Sequence, residues 1–268
     1  MTRICVAGGT GQVGREVVQQ ALAQGHAVAV LSRNPPPNGT ASEADGATYF
    51  RGDVTTGEGL LESLAGADVV IDCLEGQSGE ALRQFAAGGA LLMSAALEAG
   101  VSKAVLLSIV NCDQTSYGFY RSKADKERVY ARTALETATV RATQFHSLVA
   151  RLFSAGSRVG LVPVVRGARL QTISPGDVAA ALLEEALAPA SGQEHRLRTI
   201  GGPEVLDMKS MAQTWKRLTG AKGACCPAAA ARRDGDVSAR RPEPCARRGV
   251  RPGDIRGLVG KEAGKFVA

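Results

Sequence analysis

The chain has no apolar run long enough to span a bilayer, although 44% of its 268 residues are hydrophobic. Nor does it open with a secretory signal: a strand-like run begins at Arg3, and the short apolar stretch after it breaks into glycines. Its six cysteines lack both the spacing of a disulfide framework and the clip spacing of a zinc site, so no metal is expected and a reducing compartment fits. Cys5 and Cys73 lie inside apolar runs, as small buried thiols do, and adjacent Cys225 and Cys226 are too close for an ordinary bridge. These absences point to a soluble, cytoplasmic protein.

Charge is missing where a nucleic-acid binder would need it. Residues 221–268 hold 11 Lys+Arg against 5 Asp+Glu, which leaves 21 against 21 in residues 1–220. A neutral body attracts neither nucleic acid nor an anionic membrane surface, and the basic stretch has no aromatic residue to stack on bases before Phe266. From Ala221 to Asp236 it also lacks Leu, Ile, Val, Phe and Met. A run of Ala, Arg, Gly and Pro without period cannot bury enough apolar surface to offset its ordering entropy, so residues 221–268 read as a disordered basic tail. The abrupt loss of pattern near Lys222, with three of the six cysteines beyond it, also fits an out-of-frame reading of GC-rich coding DNA.

What is present starts with Ile4-Cys-Val-Ala-Gly-Gly-Thr-Gly-Gln-Val-Gly14. An apolar run ends in glycines at 8, 11 and 14, and apolar residues then recur at Val13, Val17 and Ala21 with helical spacing. Strand, tight turn, helix is the pattern in which backbone N–H groups and a positive dipole end face a bound pyrophosphate. A second strand, Ala27-Val-Ala-Val-Leu31, ends in Ser32-Arg33 instead of the acidic residue that accepts from a ribose 2′-hydroxyl. Arginine in that place accommodates a 2′-phosphate, which predicts NADP, with NAD the alternative.

Further strand-like runs follow at residues 47–50, 67–74, 103–109 and 138–141, alternating with helices near 57–64, 80–99 and 116–131. That alternation predicts an α/β fold with a doubly wound parallel sheet, whose ligands bind beyond the strands' carboxyl ends. Gly8, Arg33, Asp53, Cys73 and Ser108 are therefore expected to converge. The helix with Tyr120, Lys123, Lys126 and Glu127 turns one polar face to a cleft or to water. From about 149 the pattern thins into a small C-terminal lobe, with Ser174 a candidate N-cap, an edge strand over 194–199 and a helix between Val205 and Leu218.

Val6-Ala-Gly-Gly-Thr-Gly-Gln-Val-Gly14, Gly52-Asp53, Leu107-Ser108, Phe119-Tyr-Arg-Ser-Lys123, Arg141-Ala-Thr-Gln-Phe-His146 and Asp177-Val-Ala179 together resemble the atypical short-chain dehydrogenase/reductases, NmrA-like branch, over roughly residues 3–220. The resemblance implies an NAD(P)-binding Rossmann domain over 1–148, a small substrate lobe over 149–220 and, beyond it, the 221–268 tail. It also implies that Gly8, Thr10, Gly11, Gln12, Val13 and Gly14 cradle the pyrophosphate and that Arg33 meets the 2′-phosphate. Asp53 and Val54 would flank the adenine, Lys123 would bind the nicotinamide ribose, and Gln144, Phe145 and His146 would lie beside the nicotinamide.

One departure bears on chemistry. The main branch uses a tyrosine four residues before the lysine, whose ammonium lowers the phenol pKa for proton transfer. Here that position is Phe119, which carries no proton. Three readings stay open: Lys123 is the proton donor, as in isoflavone-reductase-like relatives; Tyr120 substitutes, about 100° around the helix; or the protein binds NADP(H) without turnover, as regulatory NmrA-like proteins do. Ser108 is the candidate to orient a substrate oxygen. The expected function is NADP-dependent hydride transfer to or from a small organic substrate. A cofactor-sensing regulator with a protein partner is the rival, and a sugar-nucleotide epimerase or dehydratase, which would want the missing tyrosine, stands third.

Overall fold

A computed structural model describes residues 1–268 except 37–45, 77–78, 116, 191, 193 and 229–268, with backbone alone over 226–228. In chain order the elements are β1 (Arg3–Ala7), α1 (Gln12–Ala23), β2 (Ala27–Ser32), β3 (Thr48–Arg51), α2 (Leu60–Leu64), β4 (Val69–Asp72), α3 (Gly79–Arg83) and α4 (Phe85–Glu98). Then come β5 (Lys103–Ile109), α5 (Gly118–Tyr130), β6 (Glu136–Ala142), α6 (His146–Ser157), β7 (Leu161–Val165) and β8 (Arg169–Leu170). The described chain closes with α7 (Pro175–Leu187), β9 (His195–Ile200), β10 (Leu206–Asp207), α8 (Met208–Thr219) and β11 (Ala224–Ala228). None of the described helices is long and apolar enough to cross a membrane.

The chain divides into two compact units, Met1–Ala142 with Val178–Ile200, and Thr143–Asp177 with the segment from Gly201. The expected single cut at 148 is thus replaced by an earlier one, and residues 178–200 return to the first unit. In that unit seven parallel strands run in the order β3-β2-β1-β4-β5-β6-β9. Their apolar runs are continuous because both faces are covered: every residue of β4 is buried, as is β1 from Ile4.

Strand alternation shows the two covers. Val30 faces the glycine turn and Val18 of α1, whereas Leu31, its neighbour on β2, packs with Leu60, Leu64 and Leu92 of α2 and α4. The order reverses between β1 and β4, the switch point where such sheets bind ligands. Around it, the helix expected over 80–99 is interrupted at Gln84.

The second unit has its own core of Val149, Phe153, Val162, Val164, Met208, Met211 and Ala212. Trp215 packs on Phe153 at 5.8 Å between ring centroids. Ser174 caps α7 as the sequence reading has it, its Oγ accepting from Asp177 N at 3.0 Å, and Asp207 caps α8 by accepting from Ser210 N. The disorder expected from 221 is corrected at its start, because β11 pairs in parallel with β7 from Ala224 to Ala228. The remainder of that tail, 229–268, lies outside the described residues.

Candidate functional site

The turn between β1 and α1 is shaped by what a side chain would hit. Gly8 has φ +81°, and a Cβ there would stand 3.1 Å from the Cys73 carbonyl carbon and oxygen at the end of β4. A Cβ on Gly14 would come within 2.2 Å of Gly8 O, and one on Gly9 within 2.7 Å of Val30. The turn closes on itself through Gly11 N donating to Gly8 O at 2.9 Å. Gly11 caps α1 without a side chain, and no acidic residue occupies the first turn. The N–H end of a twelve-residue helix therefore faces outward with no competing carboxylate, beside backbone that no methyl group obstructs. A pyrophosphate fits this cradle. Gly11 and Gln12 are exposed at its rim, while Val13 is buried beneath it.

Thr10 Oγ1 and Ser32 Oγ lie 3.0 Å apart, tying the turn to the end of β2. Arg33 follows at the surface. Asp53 is occupied locally: its Oδ1 accepts from both Thr55 N and Thr55 Oγ1 at 2.8 Å, which shapes the loop after β3. Val54 packs against α4, where a Cβ on Gly88 would stand 3.0 Å from its Cγ2. Cys73 is buried at the switch point, and burial pushes its thiol pKa well up, so it is an inert wall.

The polar face of α5 turns inward and not to water: Lys123, Lys126 and Glu127 are 2%, 1% and 8% exposed. The two lysines meet different neighbours. Lys126 Nζ lies 2.6 Å from Asp72 Oδ2 on β4, and the Tyr130 hydroxyl donates to the same oxygen at 2.6 Å. Asp72 Oδ1 accepts from Leu74 N at 2.9 Å, so both carboxylate oxygens are satisfied. The Lys126 stem fills the place a Cβ on Gly89 would take, 2.9 Å from its Cε and Cγ. Lys123 has a weaker counterion, Glu75 at 3.7 Å, whose side chain is 39% exposed. Both ammoniums sit on the Phe85 ring, at 4.2 Å for Lys126 and 4.7 Å for Lys123. Burial lowers the Lys123 pKa below 10.5, with Lys126 adding to the effect and Glu75 and Asp72 opposing it.

Tyr120 is half-buried, its ring 5.7 Å from Phe119 and 6.0 Å from Tyr117. Ser108 is 1% exposed, and its hydroxyl lies 3.7 Å from the Cys112 thiol, itself 3.3 Å from Glu127 Oε1. Burial pushes that thiol up to about 11. Glu127 also takes a two-pronged contact from Arg141, at 3.0 and 2.6 Å. Ser108 thus belongs to a polar layer beneath α5.

Asp72, Tyr130 and Phe85 were not singled out from sequence, and Lys126 was named there only as part of a polar face. The signal was available: an acid at the end of the apolar run 67–74, and Lys126 and Tyr130 four residues apart on one helix face. Gln144, Phe145 and His146 belong to the second unit. Gln144 O accepts from Ile173 N, Phe145 bridges Ile173 and caps α6, and His146 Nδ1 lies 2.6 Å from the buried Thr172 hydroxyl. Burial lowers the His146 pKa below 6.5, so the ring is neutral at pH 7.

Comparison with known proteins agrees with this geometry. The photosystem II assembly factor Ycf39 of Synechocystis is 38% identical over 111 residues, 40% of this chain and 34% of that protein. The chain spans about a third of the length of these curated relatives that it matches. Two solved structures share the fold: MoeE5 in complex with UDP-glucose and NAD (TM-score 0.70, 20% identity, 88% of this chain and 87% of that one), and the Citrobacter sp. triphenylmethane reductase complexed with NADP(H) (TM-score 0.69, 17% identity, 84% and 79%). Residues 8–189, from the glycine turn through α7, match the NAD(P)H-binding family, and with more than half of its length inside that match the chain belongs to this family.

Proposed function

We propose that the protein is an NADP(H)-dependent oxidoreductase that moves a hydride between the cofactor and a small organic substrate, with Lys123 as the proton-bearing group. One observation carries the reading: a buried ammonium with its counterion 3.7 Å away, on aromatic rings, in a helix that has phenylalanine at the position a phenol would take. When bound, the nicotinamide supplies or accepts the hydride. Lys123 holds the proton that a reduced carbonyl oxygen or enolate must receive, and its lowered pKa brings donation closer to neutral pH. Phe85 and Phe119 keep water from the ammonium, and the exposed carboxylate of Glu75 balances its charge once Lys123 is reprotonated from solvent. Arg33 supports NADP over NAD.

The test is a fluorescence titration with NADPH followed by NADPH oxidation assays over ketones, quinones and enones. Turnover that Lys123→Met abolishes while NADPH still binds is expected. Binding without turnover across that panel would sink the enzyme reading and favour a cofactor sensor that acts on a protein partner. Phe119 supports that second reading, as does similarity to a relative named for assembly and not for catalysis. Arg33→Asp is expected to shift preference toward NAD, and an unchanged NADP/NAD affinity ratio would remove Arg33 from the argument.

A further inference from the structure

Beside the end of β2 lies a cleft of about 530 Å³ whose lining includes Arg33, Asn34 and Pro36 from one strand end and Tyr49, Phe50 and Arg51 from the next. Arg33 and Arg51 both line it, and among the described residues of the lining none carries a carboxylate. Among the described residues neither guanidinium has an ion-pair or hydrogen-bond partner. Two like charges converging on one concave surface without a counterion repel each other, and a dianion placed between them removes that repulsion. A guanidinium fork also matches the oxygens of a phosphate monoester.

Register explains how Arg51 gets there. Ser32 on β2 is the partner of Arg51 on β3, and Gly52 N donates to Ser32 O at 3.1 Å, so the two strands end together. Partnered residues of parallel strands point to the same face, which puts Arg51 on the Ser32 side, where Ser32 Oγ meets Thr10 of the pyrophosphate turn. A dinucleotide whose pyrophosphate lies on that turn carries its adenosine ribose past the end of β2.

We propose that Arg51 is a second specificity-determining residue of the cofactor site, clamping a phosphate monoester on the adenosine ribose from the opposite side to Arg33. The inference rests on the reading that the protein uses NADP(H), and it extends the phosphate contact from one strand end to two. Its chemistry is that of a ribose 2′-phosphate, and free inorganic phosphate is the other source of the same group.

The test uses the full chain and four probes, NADPH, NADH, 2′,5′-ADP and inorganic phosphate, with Arg33→Ala, Arg51→Ala and Arg51→Lys. Arg51→Ala is expected to weaken NADPH and 2′,5′-ADP by about ten- to hundred-fold, the range for a charge-assisted hydrogen bond, while NADH changes by less than about twofold. Arg51→Lys should recover part of the loss, because it keeps the charge and loses the fork. An unchanged NADPH/NADH ratio in Arg51→Ala, with Arg33→Ala still altering it, would overturn the role of Arg51 and leave the NADP reading intact. A wild-type protein that binds NADPH no more tightly than NADH would overturn both. Inorganic phosphate displacing 2′,5′-ADP at comparable concentration would make the cleft a general anion site and overturn the ribose assignment.

Discussion

Where β1 and β2 end, the sheet offers backbone N–H groups and two exposed arginines, whereas at the β4–α5 end two ammoniums are buried on a single phenyl ring. The first end works by leaving space: its glycines matter because nothing projects from them. The second works by filling space with paired charge. Within it, Lys126 and Lys123, one helical turn apart, divide the labour. Lys126 has a carboxylate at 2.6 Å, a phenol on the same oxygen and a slot cut for its stem, so it is fixed. Among the described residues Lys123 has the looser Glu75 as its ion-pair partner, and the proposed mechanism makes its proton the one that moves.

The most severe test of this contrast is Asp72→Ala, which strands the Lys126 ammonium in the core. We expect a loss of about 3–5 kcal/mol in urea unfolding, and Lys126→Met in the same chain should recover much of it. A loss under about 1 kcal/mol would mean the pair is not structural. Next comes Gly14→Ala, where the added methyl meets Gly8 O at 2.2 Å. The turn must shift by roughly 1–3 kcal/mol of strain, and NADPH affinity in a fluorescence titration should fall about tenfold or more. Unaltered affinity would show that the cradle adapts.

Lys123→Met should do the reverse of Asp72→Ala. Stability is expected to stay within about 1 kcal/mol of wild type or to rise, because removing a desolvated and loosely paired ammonium relieves a penalty. Turnover is expected to fall about 10²–10⁴-fold. Strong destabilisation would make Lys123 a structural twin of Lys126 and erase the distinction between them. The smallest effect is in the second unit. His146 in the fold has a pKa below its ordinary 6.5, so the unfolded chain binds the proton first and stability falls as pH falls through 6.5. His195 contributes in the same direction, so His146→Gln should remove only part of the drop in melting temperature between pH 7.5 and 5.5. An identical pH dependence would mean the Thr172 contact holds the ring equally well when charged.

The sheet was legible because its strands are uninterrupted apolar runs: β5 occupies 103–109 as read from sequence, and the edge strand near 194–199 is β9. The glycine turn was legible because only steric demand puts glycine at 8, 11 and 14 together. The polar face of α5 was legible but its surroundings, cleft or water, stayed open, since period 3.6 marks a face without saying what it meets, and its partner Asp72 lies on another element. Arg51 was invisible for a related reason. Its meaning comes from the β2–β3 register, which pairs it with Ser32 across nineteen positions of sequence. β11 was missed because a short alanine- and cysteine-bearing run has little apolar pattern of its own and gains its form from β7.

The slot at Gly89 has a consequence for how this sequence can drift. Glycine inside a helix costs about 1 kcal/mol relative to alanine, so mutation there would ordinarily be favoured by helix propensity. In this chain an alanine would drive its methyl into the Lys126 stem, and a buried lysine paired at 2.6 Å has nowhere to retreat. Positions 72, 89 and 126 are therefore expected to change together or not at all: in a set of homologues, a side chain at 89 should accompany a shorter, uncharged residue at 126 and a neutral one at 72. Three residues on three separate elements would then be inherited as one character.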